Sequence, residues 1–167
     1  MVDKITIRRA RREDVPQIMD IYNYAIINTT STFDTEPKTL ENRLKWFAVF
    51  NEQYPLLVAV IDKEVVGWGS IRSFGTRNAY RYTVENAIYI KPDYQGKGIG
   101  SRLLYALITI AQQKKYHAIL ALIVGGNEAS ERLHLKFGFE QVGVMREVGR
   151  KFDRWLDILI FEKILNS

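Results

Sequence analysis

The chain has 167 residues, 47% of them apolar, a net charge of +5 and no cysteine. That is enough length and apolar content for one packed domain spanning residues 1–167. Zero cysteines remove disulfides, thiol nucleophiles and cysteine–zinc sites together, and two histidines, His117 and His134, are too few for a histidine metal centre, so no metal is expected.

No apolar run reaches the roughly eighteen residues that a membrane span needs, and the N-terminal stretch MVDKITIRRARRED lacks an apolar signal-peptide core. A cytoplasmic protein without a membrane partner is expected. The only dense basic cluster is Arg8 to Arg12, with no aromatics interleaved for base stacking, so no nucleic-acid partner is expected.

Along the chain, Ile5 and Ile7 alternate with polar residues and predict a first strand, Lys4 to Arg9. Glu13 and Asp14 suit a helix start, and Pro16 is tolerated in a first turn. Val15, Ile18, Met19, Ile21, Tyr22, Ala25 and Ile26 then give an amphipathic helix, ended by the polar, β-branched run Asn28 to Thr32. Asn28 to Pro37 is a long loop, and loops of that length are often functional. Phe33 within it is either a core anchor or the apolar wall of a substrate pocket. A second helix follows from the N-cap Thr39 through Leu40, Leu44, Trp46 and Phe47. Leu56 to Ile61 and Val65 to Ile71 form a hairpin about Asp62-Lys63, and a polar loop, Phe74 to Tyr82, comes next.

The most informative stretch is VENAIYIKPDYQGKGIGS, Val84 to Ser101. It begins as a strand with Val84, Asn86, Ile88 and Ile90 on one face and Glu85, Ala87 and Tyr89 on the other, and Pro92 stops it. Gly96, Gly98 and Gly100 follow, then Leu103, Leu104, Leu107, Ile108 and Ala111 at helical spacing. A strand, a glycine turn and a helix start hold phosphate. Glycines admit an anion to the backbone, and the first helical N–H groups lack intrahelical partners. A dinucleotide fingerprint fails, because its third glycine would fall at Ser101 and no acid follows about twenty residues later. A P-loop fails on spacing. The pattern Q-x-x-G-x-G, on Gln95, Gly98 and Gly100, resembles the pyrophosphate signature of the GNAT superfamily of N-acetyltransferases. That resemblance implies an acetyl-coenzyme A turn over Gln95, Gly96, Lys97, Gly98, Ile99, Gly100 and Ser101. It also implies backbone contacts from Ile88, Tyr89 and Ile90 to the pantetheine arm.

The helix from Gly98 runs to about Lys115, Ala118 to Val124 is a buried strand, and Asn127 caps a helix that ends near Phe137, before Gly138. Gln141 to Val148 and Trp155 to Ile164 are closing strands joined by Gly149 to Arg154. The order β-α-α-β-β-β-α-β-α-β-β predicts an α/β (α+β) fold: a mixed, mostly antiparallel sheet flanked by helices on both faces. It is also the order of the superfamily that the glycine turn resembles.

Acetyl transfer from a thioester to an amine needs a base for the ammonium proton and an acid for the departing thiolate. Glu85, at the start of the central strand, is the base candidate. Arg77-Asn78-Ala79-Tyr80 with Thr83-Val84-Glu85, NTTSTFDTEP, YPLLVA and RWLD together resemble the phosphinothricin and methionine sulfoximine acetyltransferase family, in which T-V-E supplies the proposed catalytic glutamate. His134 stands where many superfamily members have tyrosine. It is a candidate acid, a cofactor contact or simply a packed histidine. Asn127 caps its helix, and the resemblance gives it a coenzyme A contact. An amino acid analogue carries a carboxylate, which arginine recognises; Arg72, Arg77 and Arg81 are candidates, with Phe33 and Thr83 beside Glu85. The resemblance further implies a homodimer and resistance to such analogues. Another amine acceptor (a polyamine, an aminoglycoside or a protein N-terminus) and a non-catalytic acyl-coenzyme A-binding module remain alternatives.

Overall fold

A computed structural model describes residues 4–165. Seven strands form one sheet: β1 (Thr6–Arg9), β2 (Leu56–Ile61), β3 (Glu64–Ser73), β4 (Thr83–Ile90), β5 (Ala118–Val124), β6 (Glu140–Lys151) and β7 (Arg154–Ile164). Their spatial order is β1-β2-β3-β4-β5-β7-β6. Four helices are added: α1 (Val15–Asn28), α2 (Leu40–Phe47), α3 (Ile99–Gln113) and α4 (Glu128–Lys136). Every neighbouring pair is antiparallel except β4 and β5, whose crossover is α3. The expected mixed, mostly antiparallel architecture is therefore the one observed.

The alternation along β4 divides the molecule. Val84, Ile88 and Ile90 face the larger core, with Leu103, Leu104 and Leu107 of α3, Leu133 of α4, and Phe139. Ala87 and Tyr89 face the other side, where Ile18 and Ile21 of α1 and Trp46 and Phe47 of α2 pack on Trp68, Leu56 and Val58. Leu103, Leu104 and Leu107 are fully buried, so removing any one side chain beyond Cβ costs about 2–5 kcal/mol. Gly67 marks the close approach of α3 to β3. A Cβ there would stand 2.8 Å from Cδ1 of Ile90 and 3.3 Å from Cγ2 of Ile99.

Local signals explain most boundaries. The Thr39 side chain accepts from the Asn42 N–H and that of Asn127 from the Ser130 N–H, so both expected N-caps form. Gly138 takes φ +80° after α4, the left-handed position that glycine fills without strain. The β6–β7 connection differs from expectation. In place of a loop over Gly149 to Arg154, the strands run to Lys151 and from Arg154, joined by Phe152-Asp153 alone. Both turn residues have positive φ, 51° and 57°, as in a type I′ hairpin turn. Asp153 tolerates that conformation but Phe152 does not advertise it, so the two-residue turn is not visible in composition.

The parallel pair that fixes the site is short. β4 and β5 pair only at Thr83–Ala118, Val84–Ile119 and Glu85–Leu120. Beyond Glu85, β4 continues to Ile90 against β3, and β5 continues to Val124 against β7. The sheet thus opens a cleft between its two middle strands.

Candidate active site

The glycine turn lies at the β4 end of this cleft. Gly96 and Gly98 have φ +73° and +80°, and a Cβ built on either meets nothing within 4 Å. The surface above both is open at the N-terminus of the 15-residue helix α3, with Gln95 and Lys97 exposed beside it. Backbone N–H groups without side-chain cover, a helix N-terminus and a lysine are the donor set that a pyrophosphate needs, so these residues fit coenzyme A. Gly100 has a different task, because its Cβ would stand 3.2 Å from Cδ2 of Leu133; it lets α4 pack on α3. The Ile99 side chain is buried in the core, which leaves only its backbone for a ligand. Ser101 Oγ accepts from Lys136 Nζ at 3.4 Å.

At the apex of the cleft, Asn86 and His134 meet. Nδ2 of Asn86 donates to the Leu120 carbonyl at 3.3 Å, and Nε2 of His134 lies 3.1 Å from Oδ1 of Asn86. Nδ1 of His134 donates to the Ser130 carbonyl at 2.8 Å, and Phe139 packs edge-on against the ring. His134 is 3% exposed; burial pushes its imidazole below the ordinary value, partly offset by the Ser130 bond. Ile88, Tyr89 and Ile90 lie on the part of β4 that β5 has left. Asn127 lies just beyond the β5 end, with its side-chain oxygen committed to the Ser130 N–H.

Glu85 faces the opposite side of the sheet, toward α1 and α2. It pairs across the β3–β4 ladder with Arg72, and burial pushes its carboxyl above the ordinary range while Arg72 pulls it partly back. On that face a cavity of about 130 Å³ is lined by Tyr22, Asp34, Arg43, Trp46, Trp68, Ser70, Arg72, Ala87 and Tyr89. Arg43 is 7% exposed and its guanidinium stacks over Trp46 at 4.5 Å and Tyr22 at 5.1 Å. No carboxylate among the described residues forms an ion pair with Arg43 or Arg72. Trp68 is buried, and its indole N–H has no hydrogen-bond partner among them. Tyr22 donates to Asp34, which also pairs with Lys38 at 3.1 Å. Burial pushes the Tyr89 hydroxyl up to about 12, so it stays protonated at neutral pH. The pocket therefore holds two guanidinium groups without a carboxylate ion pair, Arg43 donating through Nε and Nη2 to Asn42 Oδ1 at 3.2 and 3.1 Å. It also holds the Asp34 carboxylate, engaged by Tyr22 and Lys38, while Glu85 stands opposite Arg72 on the neighbouring strand.

The other expected substrate residues lie elsewhere. Arg77 and Arg81 flank the Asn78–Tyr80 turn and are exposed; Arg81 stacks over Tyr82 at 4.5 Å, and neither lines the cavity. Phe33 packs with Val124, Leu156 and Ile158, and its ring lies 2.3 Å from where a Cβ of Gly149 would stand. That is the anchor reading of Phe33. Thr83 begins β4, half-buried. Sequence reasoning missed Arg43, Trp68, Tyr22 and Asp34. Arg43 and Trp46, three apart on α2, carried a signal: a cation and an aromatic sharing a face with the apolar stripe.

The acetyltransferase (GNAT) family model matches residues 18–139. L-methionine sulfoximine/L-methionine sulfone acetyltransferase of Pseudomonas paraeruginosa is 42% identical over 159 residues, 94% of this chain and 92% of that protein. Phosphinothricin N-acetyltransferase of Streptomyces coelicolor is 37% identical over 166 residues, 97% of each chain. A solved phosphinothricin acetyltransferase of Sinorhizobium meliloti in complex with acetyl-coenzyme A superposes with a TM-score of 0.94 at 32% identity, covering 97% of this chain and 89% of that one.

Proposed function

The chain belongs to the acetyltransferase (GNAT) family, and from that premise we propose that it acetylates the amine of a small amino acid analogue of the methionine sulfoximine, methionine sulfone or phosphinothricin type. It is an N-acetyltransferase, and acetyl-coenzyme A is its acyl donor. The observation that carries the acceptor reading is the cavity on the Glu85 face. Arg43 and Arg72 offer guanidinium donors to a carboxylate, and aromatic rings, Trp68 among them, enclose the acceptor's methylenes. A polyamine would meet Arg43 and Arg72 there, with Asp34 as the lining carboxylate, already engaged by Tyr22 and Lys38.

The donor supplies the acyl group as a thioester. Gln95 to Ser101 and Asn127 hold its pyrophosphate and pantetheine ends, and backbone groups of Ile88, Tyr89 and Ile90 line the cleft along which it runs. Glu85 removes the ammonium proton; its burial raises its basicity toward that task. β4 N–H groups at the cleft polarise the carbonyl. His134, on the other face of the apex, returns a proton to the leaving sulfur. Placing base and acid on opposite faces keeps them from neutralising each other.

We test this by thiol release with methionine sulfoximine, phosphinothricin, spermidine and a peptide amine, wild type beside Glu85→Gln. Turnover with the first two and a loss of about 10²–10⁴-fold in the variant is expected. Turnover with spermidine or peptide alone overturns the acceptor.

We also propose that this single catalytic unit works as a cytoplasmic homodimer that detoxifies such analogues. The edge strand β6 supports the dimer, since Val142, Val144, Met145 and Val148 are exposed along it, with Trp155 of β7 61% exposed alongside. Among the described residues no helix is long and apolar enough to cross a membrane. Light scattering on the purified chain is expected to give twice the 19.4 kDa chain mass, and Val144→Lys to lower it.

A further inference from the structure

The polar chain at the cleft apex has a proton count that a neutral imidazole does not satisfy. The Ser130 carbonyl only accepts, so Nδ1 of His134 carries a hydrogen. The Leu120 carbonyl only accepts, so the NH₂ end of the Asn86 amide faces it. Oδ1 of Asn86 is then left facing Nε2 of His134 at 3.1 Å, and that contact is a hydrogen bond only if Nε2 also carries a hydrogen. Turning the amide over gives Nε2 a donor but sets Oδ1 against the Leu120 oxygen, so it moves the mismatch to the other end of the amide rather than removing it. Asn86 is 6% exposed and His134 3%, so water does not repair the mismatch cheaply.

We propose that Asn86 is a positioning residue that keeps a second proton on Nε2 of His134, at the point where β4 and β5 separate. The role rests on the reading of His134 as the acid of acetyl transfer. In the transfer the amine lone pair forms the N–C bond and the C–S pair leaves on sulfur. The Nε2 hydrogen exchanges Oδ1 of Asn86 for that sulfur. Glu85 takes the first ammonium proton and releases it to solvent before attack, and takes the second N–H proton as the C–S bond breaks, so the product is the neutral amide and a thiol. The neutral imidazole then faces the Oδ1 lone pairs, which drives it to recover a proton from solvent before the next turnover. Burial acts against the charged ring, while no charged side chain on β4, β5 or α4 contributes to its titration. The balance between burial and the Asn86 carbonyl therefore sets when Nε2 holds its proton.

The chain has only two histidines, so ¹⁵N-detected imidazole spectra are assignable with His117→Gln. We titrate wild type, Asn86→Leu and Asn86→Asp, each checked for a cooperative thermal transition. In wild type the neutral form is expected as the Nδ1–H tautomer. Asn86→Leu is expected to lower the proton affinity of His134 about tenfold and Asn86→Asp to raise it by at least that factor, since a hydrogen bond to a charged group is lost or strengthened. The alkaline limb of kcat moves down in the first and up in the second. If Asn86→Leu is unfolded, Asn86→Ser takes its place with the same sign. An unchanged titration in the folded variants, or a neutral Nε2–H tautomer in wild type, overturns the proposal. Shifted titrations with an unmoved kcat profile leave Asn86 holding the proton but remove His134 from catalysis.

Discussion

Glu85 must be ionised to accept a proton, and its burial opposes ionisation. Its folded value is raised, so the folded chain binds a proton more tightly than the unfolded one. Stability is then lost as pH rises from the unfolded value of about 4.3 through the folded value. Glu85→Gln is expected to melt higher than wild type at pH 8 and to lose that advantage below pH of about 4, by calorimetry. Activity runs the other way: kcat/KM for wild type rises with pH through the Glu85 value. Higher stability joined to lost turnover would mark a carboxylate kept for chemistry. Asp14 has the opposite sign. Burial raises it, but the Arg8 guanidinium at 2.7 Å and the Arg11 N–H outweigh burial and hold it below the usual range. Its contribution is complete above about 3.9 and is lost as pH falls through the lowered folded value. Asp14→Asn is expected to destabilise by about 2 kcal/mol at pH 7, measured in urea.

The helix and hairpin boundaries make predictions of their own. Gly98 sits at φ +80° with open space above it, so an added Cβ strains the backbone by about 1–2 kcal/mol and stands where an anion would approach. Gly98→Ala is expected to raise the KM for acetyl-coenzyme A more than tenfold while kcat changes little. Gly67→Ala meets Ile90 and Ile99 instead and is expected to cost about 1–3 kcal/mol of stability, with KM unchanged. At the β6–β7 turn, Phe152 and Asp153 adopt left-handed angles that Asn-Gly adopts more readily. Phe152→Asn with Asp153→Gly is expected to stabilise by about 1 kcal/mol in thermal melts. The three results separate a glycine kept for ligand approach, one kept for packing, and a turn that carries strain.

At the scale of the whole molecule, the proposed mechanism depends on where the sheet divides. Three parallel pairs hold β4 to β5, and each strand then follows a different antiparallel partner. The cleft puts the glycine turn at one end, the Asn86–His134 contact at its apex on one face, and Glu85 on the other. The long hairpin β6–β7 anchors the loop after α1: Phe33 stacks on Gly149, and Lys151 donates to the Thr32 carbonyl at 2.9 Å. Asp34 lines the cavity on the Glu85 face from that same loop.

The sequence by itself determined most of the elements and the glycine turn ahead of α3. Those signals are local: period-two and period-3.6 patterns, Thr39 and Asn127 as caps, Pro92 as a stop, and glycines ahead of a helix. It also singled out Glu85 and Arg72, which one ladder rung holds opposite each other. Tertiary structure alone decided the cavity on the Glu85 face, because Tyr22, Arg43, Trp68 and Tyr89 are up to 67 positions apart in number and converge only when α1 and α2 pack on one face of the sheet. It also placed Phe33 in a core rather than the cavity, left Arg77 and Arg81 at the surface, and joined Asn86 to His134 across 48 residues. Proton placement between two such groups depends on which lone pairs face each other, and that is a property of packing that no local pattern encodes.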